Sequence, residues 1–424
     1  MALTTLRAAG AAIGLFMGSE LNYDLISENP RYRQVHSEEY GLSTAENDCK
    51  WQATHPQQNE YTIETCYRNL QYAVNETQAF RGHNLCWGSY NPTWLTCGAP
   101  HNESSYCNFT AAELEGFLVD HINTVMPGVR AGVGGASIYA WDVVNEAIDY
   151  KPHQGWGLKT NTWYPVLSNY VDVAFQAARL ADPDTLLCYN DYGSEDLGGH
   201  STAVYAMVQS MLARGVPIDC VGLQMHVREG QEPTRGDVSA NMKRLGLLGL
   251  QVHVTELDYK CPDCYYYSSS SVGERGSGDG VIRASADVLA TTAGEDGGGE
   301  GAAVVLVPNA TALAKQATFY TDMLLACLDN PGVCTSFETW GFTDAHTWLG
   351  ADAFPLPFDT AYAPKPAYDA MLDTLHSAWR KQRDSVAAPA TAPESFSLPI
   401  KDSPSLSLPI KIKDRQSRRR GAVF

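Results

Sequence analysis

The chain contains no run of about 18 apolar residues, so nothing in its 424 residues reads as a membrane-crossing helix. Positive charge is scarce: 30 Lys and Arg stand against 48 Asp and Glu, a net charge of −18. Nucleic acids and anionic membranes attract basic surfaces, so neither is expected as a partner, while a neutral polymer stays open. No Gly-x-Gly-x-x-Gly follows the first strand-like segment, which removes the main sign of a dinucleotide-binding fold. Cys261 and Cys264 have no second ligand pair at a zinc spacing, so no metal and no other cofactor is expected. The apolar N-terminus lacks a small-residue cleavage site and reads instead as a short helix running into a first strand near Gly14–Glu20.

What is present is enough for a large core. Hydrophobic residues make up 44% and charged ones only 18%. Length alone would allow two or three domains, but an α/β barrel can use most of such a chain as one. Cysteine is odd in number, eleven. Cys97 and Cys107, Cys261 and Cys264, and Cys327 and Cys334 are local pairs in loops, which fits disulfides made in an oxidising compartment. Cys86 and Cys188 fall inside strand-like runs and read as buried thiols. Asn-x-Ser/Thr sequons at Asn75, Asn102, Asn108 and Asn309 point the same way, to a secreted glycoprotein.

From Gly14 onward, strand-like and helix-like segments alternate. A polar segment follows the first strand. Tyr67–Asn75 reads as helix, Gln78–Trp87 as strand, and residues 110–126 as helix, with Leu114, Phe117, Leu118, His121 and Ile122 on one face. Tyr170, Val173, Ala174, Ala177 and Ala178 mark another helix; Val204, Met207, Val208, Met211 and Leu212 mark the next, and Gly215 stops it. Strands follow at Thr185–Asn190, Asp219–Met225 and Leu250–Asp258. A last helix is expected over Leu313–Leu328 and a final strand over Ser336–Trp340. About eight β units separated by helices mean a parallel sheet. Glu46, His83, Glu146, Asn190, His226, Glu256 and Trp340 end these strands. In a closed barrel such ends meet at one mouth, whereas an open sheet spreads them along an edge. The expected fold is therefore a (β/α)8 barrel of one domain over residues 1–380. A Ser- and Gly-rich insertion at 261–308 follows the seventh strand, and composition favours disorder there. A low-complexity tail at 385–424 repeats Ser-Leu-Pro-Ile-Lys and carries seven Lys/Arg against three Asp/Glu.

Two of the strands deliver a Glu: Ser137–Trp141 leads into Asp142-Val143-Val144-Asn145-Glu146, and Leu250–Thr255 into Glu256-Leu257-Asp258. A single Glu at a strand end is most often a surface charge. Two aimed at one pocket are what glycoside hydrolysis needs, one as acid/base and one as nucleophile or base.

At this point the motifs are recognisable. They are Thr44-Ala45-Glu46-Asn47-Asp48-Cys49-Lys50-Trp51, Arg81-Gly82-His83-Asn84-Leu85-Cys86-Trp87, Trp141–Glu146, Asn190-Asp191-Tyr192, Gly222-Leu223-Gln224-Met225-His226, Thr255–Asp258 and Trp340–Trp348. Together, in this order, they resemble the family 10 glycoside hydrolases, endo-β-1,4-xylanases on a (β/α)8 barrel, over about Leu6–Trp379. The resemblance implies retaining hydrolysis of β-1,4-linked xylan or xylo-oligosaccharide by a monomer. It assigns Glu146 as acid/base and Glu256 as nucleophile, with His226 bonded to the nucleophile. Asp258 is either the orienter of that histidine or a plain strand-end charge. It further implies sugar contacts for Glu46, Asn47, Lys50, His83, Asn145, Tyr192 and Gln224, and stacking walls at Trp87, Trp340 and Trp348. Lys50 and Glu46 read more blandly as a surface ion pair, and Trp51 and Trp141 as packing. The sequence departs from the family at Gly88, where His is usual, at Tyr90, where Gln is usual, and at Gly193, where Asn is usual. Those departures keep two other readings open. One is a transglycosylase or another β-1,4-glycanase, the other a catalytically silent carbohydrate-binding protein.

Overall fold

Eight parallel strands close on themselves. In chain order they are β1 Phe16–Leu21, β2 Leu42–Ala45, β3 Ala79–His83, β4 Ala140–Asn145, β5 Leu186–Asp191, β6 Cys220–Leu223, β7 Gln251–Lys260 and β8 Cys334–Thr339. Each pairs with its neighbour in order, and β8 pairs with both β7 and β1, which closes the (β/α)8 barrel. This computed structural model describes residues 3–97, 107–269 and 304–387.

The strands are buried almost throughout, as strands covered on both faces must be. The helices between them carry one apolar stripe each. In Ala111–Gly132 the buried residues are Leu114, Leu118, His121, Ile122, Val125, Met126 and Val129, and Thr110 with Glu113 forms a capping box at its start. Asn29 caps the helix Pro30–Glu39, whose Pro sits in the first turn. Asn309, read as a glycan acceptor, caps Ala310–Leu328.

Several elements correct the sequence reading. The polar segment after β1 is two helices, Tyr23–Glu28 and Pro30–Glu39. The helix Arg235–Gly246 went unread between β6 and β7, because its apolar positions are few among charged ones. A final helix, Pro366–Ala387, lies beyond the last one expected and packs on Ala310–Leu328. Its signal was present: Pro366 at its start, then the buried Ala367, Tyr368, Met371 and Leu375. It also runs past the expected start of the tail; residues 388–424 lie outside the described residues. The ends of the 261–308 insertion are ordered, because Tyr265–Ser269 and Val304–Pro308 pair as an antiparallel ladder. Residues 270–303 lie outside the described residues.

Five disulfides join Cys49 to Cys66, Cys97 to Cys107, Cys188 to Cys220, Cys261 to Cys264, and Cys327 to Cys334. Cys188 is therefore not a thiol. It faces Cys220 in direct register on the adjacent strand, with 4.5 Å between Cα atoms. Cys86 is a buried free thiol.

Beneath the mouth, the barrel interior holds charge. Arg81 is fully buried and forks onto both oxygens of Asp142, and also donates to His253 Nδ1 at 2.8 Å. Glu338 accepts from Thr44 at 2.6 Å and from Ser336 at 3.1 Å in the same interior. Burial pushes the Glu338 carboxyl up to about 7 even though Arg81 opposes it.

Candidate active site

The C-terminal ends of the strands surround a cavity of about 830 Å³. Its walls include Glu46, Asn47, Lys50, His83, Trp87, Asn145, Glu146, Tyr192, Gln224, His226, Glu256, Trp340 and Trp348. The residues expected to act on or bind the sugar all line this wall, while Asp258, expected to orient His226, is set back from it. A neighbouring cavity of about 430 Å³ shares Glu46, Trp340 and Trp348 and adds Glu20, Asn22, Tyr32 and His346. The cleft thus continues past the two tryptophans.

Glu146 follows β4 directly, and its backbone is left-handed, with φ +55°. That conformation is costly for a residue with a Cβ and recurs where a side chain must be aimed. The backbone N–H is held by Asn190 C=O at 2.9 Å. Gln224 donates to Glu146 Oε1 at 3.1 Å, and Lys159 Nζ lies 3.6 Å from Oε2. Burial pushes the Glu146 carboxyl up. Lys159 and Gln224 pull against it, Asp191 and Glu256 push with it, and the outcome lies above the ordinary value.

Glu256 has the opposite environment. Asn190 donates to Oε1 at 2.6 Å, and His226 Nε2 contacts Oε2 at 3.1 Å. His83 Nδ1 is 4.0 Å from Oε1. Burial alone would raise this carboxyl. The His226 hydrogen bond and the charges of His83 and His226 outweigh it, and the outcome lies below the ordinary value. His226 is itself held by Asp258, Nδ1 to Oδ2 at 2.8 Å. Burial would lower the imidazole, but Asp258 and Glu256 hold it well above its usual value, so it stays charged. Asp258 is 1% exposed, which excludes the reading of it as a plain strand-end charge.

The two carboxylates share one amide network. Asn145 Oδ1 accepts from Asn190 at 2.9 Å and from Gln224 at 3.2 Å, and those two donors also reach Glu256 and Glu146. Asn145 and Asn190 are register partners on β4 and β5, and Gly222 is the partner of Asn190 on β6. A Cβ at Gly222 would fall 2.2 Å from Asn190 Oδ1, so only glycine leaves room for that amide.

Lys50 is not part of a surface ion pair. It is 6% exposed, donates to Asn47 Oδ1 at 2.7 Å, and lies 4.1 Å from the Tyr90 ring and 5.4 Å from the Trp87 ring. Burial lowers its ammonium against the pull of Glu256, Glu46, Glu20 and Glu146. Trp51 and Trp141 are packing residues, 2% and 0% exposed.

The departures at Gly88 and Tyr90 have local explanations. A Cβ at Gly88 would sit 3.0 Å from Asn161 Nδ2, so Asn161 occupies the space a larger side chain would need. Tyr90 stacks on Trp87 with centroids 5.2 Å apart and planes at 13°. Gly193 has φ +62°, a conformation Asn also tolerates.

Some functional-looking residues went unread in the sequence. Asp142 holds His83 Nδ1 at 2.9 Å, and its charge in the middle of a buried strand was the signal, with Arg81 on the next strand as its partner. Glu20 is 6% exposed, and burial together with Glu46 pushes its carboxyl well above the usual range. Lys159 and Glu195 gave no local signal, because both act across loops on distant strand ends.

A parallel eight-stranded barrel whose mouth holds two carboxylates in opposed protonation environments, among amides and tryptophans, defines a glycoside hydrolase. The family model described as glycosyl hydrolase family 10 matches residues 5–374, and the chain belongs to that family. It is 31% identical over 342 residues to endo-1,4-beta-xylanase B of Neocallimastix patriciarum, covering 80% of this chain but 32% of that protein. So the chain spans about a third of that relative's length. It is 29% identical to endo-1,4-beta-xylanase B of Thermotoga neapolitana, covering 86% of this chain and 88% of that one. Among solved structures, native xylanase 10B from Thermotoga maritima superposes with a TM-score of 0.70 at 27% identity, over 89% of this chain and all of that one. Xylanase 10B from Thermotoga petrophila, in complex with xylobiose, gives the same TM-score and identity over 89% of this chain and 99% of that one.

Proposed function

We propose that the chain is a retaining endo-β-1,4-xylanase, with Glu256 as nucleophile and Glu146 as acid/base. The observation that carries the reading is the contrast between two neighbouring carboxyls on one amide network. Burial leaves Glu146 raised, and His226 leaves Glu256 lowered. In the first step the Glu256 carboxylate attacks the anomeric carbon while Glu146 gives its proton to the departing glycosidic oxygen. In the second, Glu146 takes a proton from water, which displaces Glu256 and leaves the sugar with its original configuration. Asn145 lies beside both carboxyls, where a sugar 2-hydroxyl sits as positive charge builds on the ring. Trp87, Trp340 and Trp348 offer flat apolar faces for sugar rings, and Glu46, Asn47, Lys50, His83, Gln224 and Tyr192 offer hydroxyl partners. His226 and Asp258 keep the nucleophile ionised.

We place the enzyme on a secretory route, on the support of its five disulfides, and read it as one domain acting as a monomer. The test is product release from β-1,4-xylan, with the anomer followed by NMR, for the native enzyme, Glu256→Ala and Glu146→Ala. Xylo-oligosaccharides released first as the β-anomer, and lost in Glu256→Ala, support the reading. A folded protein that releases nothing from xylan sinks it, and first products of α configuration sink the retaining step. Transfer products longer than the substrate would favour a transglycosylase instead.

A further inference from the structure

Trp348 lines both cavities of the cleft and is 58% exposed, yet its indole N–H points into the protein. It donates to Asp258 Oδ2 at 2.8 Å. The same oxygen contacts His226 Nδ1 at 2.8 Å, and His226 Nε2 contacts Glu256 Oε2 at 3.1 Å. The His226 ring also meets Trp348 edge-on, with centroids 5.0 Å apart. The second oxygen of Asp258 is buried and has no hydrogen-bond partner among the described residues. Two side-chain donors therefore hold this buried carboxylate, and Trp348 is one of them. The loop that carries the ring is anchored. Asp344 and Lys365, each 1% exposed, pair at 2.8 Å, and Asp344 Oδ1 accepts from Leu356 N–H at 2.9 Å.

We propose that Trp348 is a positioning residue for Glu256. Its N–H fixes Asp258, Asp258 aims His226, and His226 holds the carboxylate, so the ring offered to a sugar is hydrogen-bonded through to the reacting group. This rests on Glu256 being the nucleophile.

A stacking platform needs only a flat ring. An indole whose N–H serves a buried carboxylate does more, because losing that donor leaves Asp258 with one partner in a dry site. The electrostatic consequence has a definite sign. Asp258 faces His226, and its charge also reaches Tyr320 on the helix Ala310–Leu328. Beyond His226 lie Glu256 and its charged neighbours His83, Asp142, Lys50 and Glu146. The N–H presents the positive end of a dipole to this group. Removing it makes His226 and Glu256 hold a proton more tightly, so the nucleophile is protonated at a higher pH.

Trp348→Phe separates the two roles, because it keeps a flat ring and removes the donor. With xylo-oligosaccharides as substrate, KM should stay within about twofold while kcat falls about tenfold, the pattern of a lost transition-state interaction. The acid limb of kcat/KM should move to higher pH. Trp348→Ala, which also loses the ring, should add a rise in KM. The double variant Trp348→Phe/Asp258→Asn should be little worse than Asp258→Asn alone, since both act through one link. Nitrogen-15 NMR of His226 gives a readout that needs no turnover: in Trp348→Phe the imidazole should lose its proton at higher pH than in the native enzyme. A Trp348→Phe enzyme with native kcat, acid limb and His226 titration overturns the proposal and leaves the xylanase reading intact. A rise in KM alone also overturns it, making Trp348 a platform only. If the native enzyme releases nothing from xylo-oligosaccharides, the functional reading fails, and the His226 titration decides the relay by itself.

Discussion

At the scale of single residues, the site works by giving identical groups different surroundings. Glu146 and Glu256 are the same side chain, and both are largely buried. What separates them is the balance: the imidazole hydrogen-bonded at 3.1 Å to Glu256 helps to outweigh its burial, whereas the ammonium 3.6 Å from Glu146 does not. Lys159 is the adjustable partner. It opposes the burial that raises Glu146, so Lys159→Met leaves only Gln224 against burial, Asp191 and Glu256 and raises that carboxyl further. A general acid must be protonated to act. The basic limb of kcat/KM should therefore move to higher pH, with kcat at the optimum reduced by less than about tenfold. A pH–rate profile reads this directly, and a limb that stays put or moves down would show that Lys159 does not tune Glu146. Lys159 reaches Glu146 from beyond the hairpin Ile148–Lys151 and Gly155–Leu158, which is why no local pattern announced it.

At the scale of elements, register does the positioning. Asn145, Asn190 and Gly222 lie side by side on β4, β5 and β6. One strand supplies an amide beside the acid, the next an amide that reaches the nucleophile, and the third an absence of side chain that lets the amide lie there. Gly222→Ala would drive a methyl group to 2.2 Å from Asn190 Oδ1 and 3.0 Å from Thr255. Asn190 must then move, and Glu256 loses its shortest hydrogen bond. We expect kcat/KM on xylan to fall about a hundredfold from this small displacement. Stability should fall by about 1–3 kcal/mol from overpacking. A variant with native kinetics would show that Asn190 does not need its place. The disulfide Cys188–Cys220 spans the same two strands, two residues below this layer, and holds them in register from beneath.

At the scale of the whole molecule, closing the barrel buries charge in its interior, and that makes stability depend on pH. Glu338 titrates at about 7 in the folded protein against an ordinary value of 4.5. The folded state therefore binds a proton that the unfolded state has released. Its contribution is fully present below about 4.5 and is lost as pH rises through about 7. Glu338→Gln keeps the size of the side chain and removes the titration. The variant should gain roughly 3 kcal/mol relative to the native enzyme at pH 8 and nothing at pH 4. Thermal or urea unfolding across that range tests it, and parallel curves for the two proteins would refute it.

Much of this architecture is legible locally. Short apolar runs announce strands, apolar positions three and four apart announce helices, and polar residues at strand ends announce a mouth. Loop cysteines close in the chain announce their own pairing. These signals need only neighbours within a few residues. The helix Pro366–Ala387 was legible too, from its proline and its apolar spacing. What the folded barrel alone decides is which distant groups meet. Trp348 and Asp258 are 90 residues apart in the chain, and Arg81 and His253 are 172 apart. Cys188 looks like any buried strand cysteine until β6 sets Cys220 beside it. The protonation of Glu146 and Glu256 belongs to the same class. A carboxyl's proton affinity sums burial and charge from every direction, and those directions exist only once β8 has closed against β1.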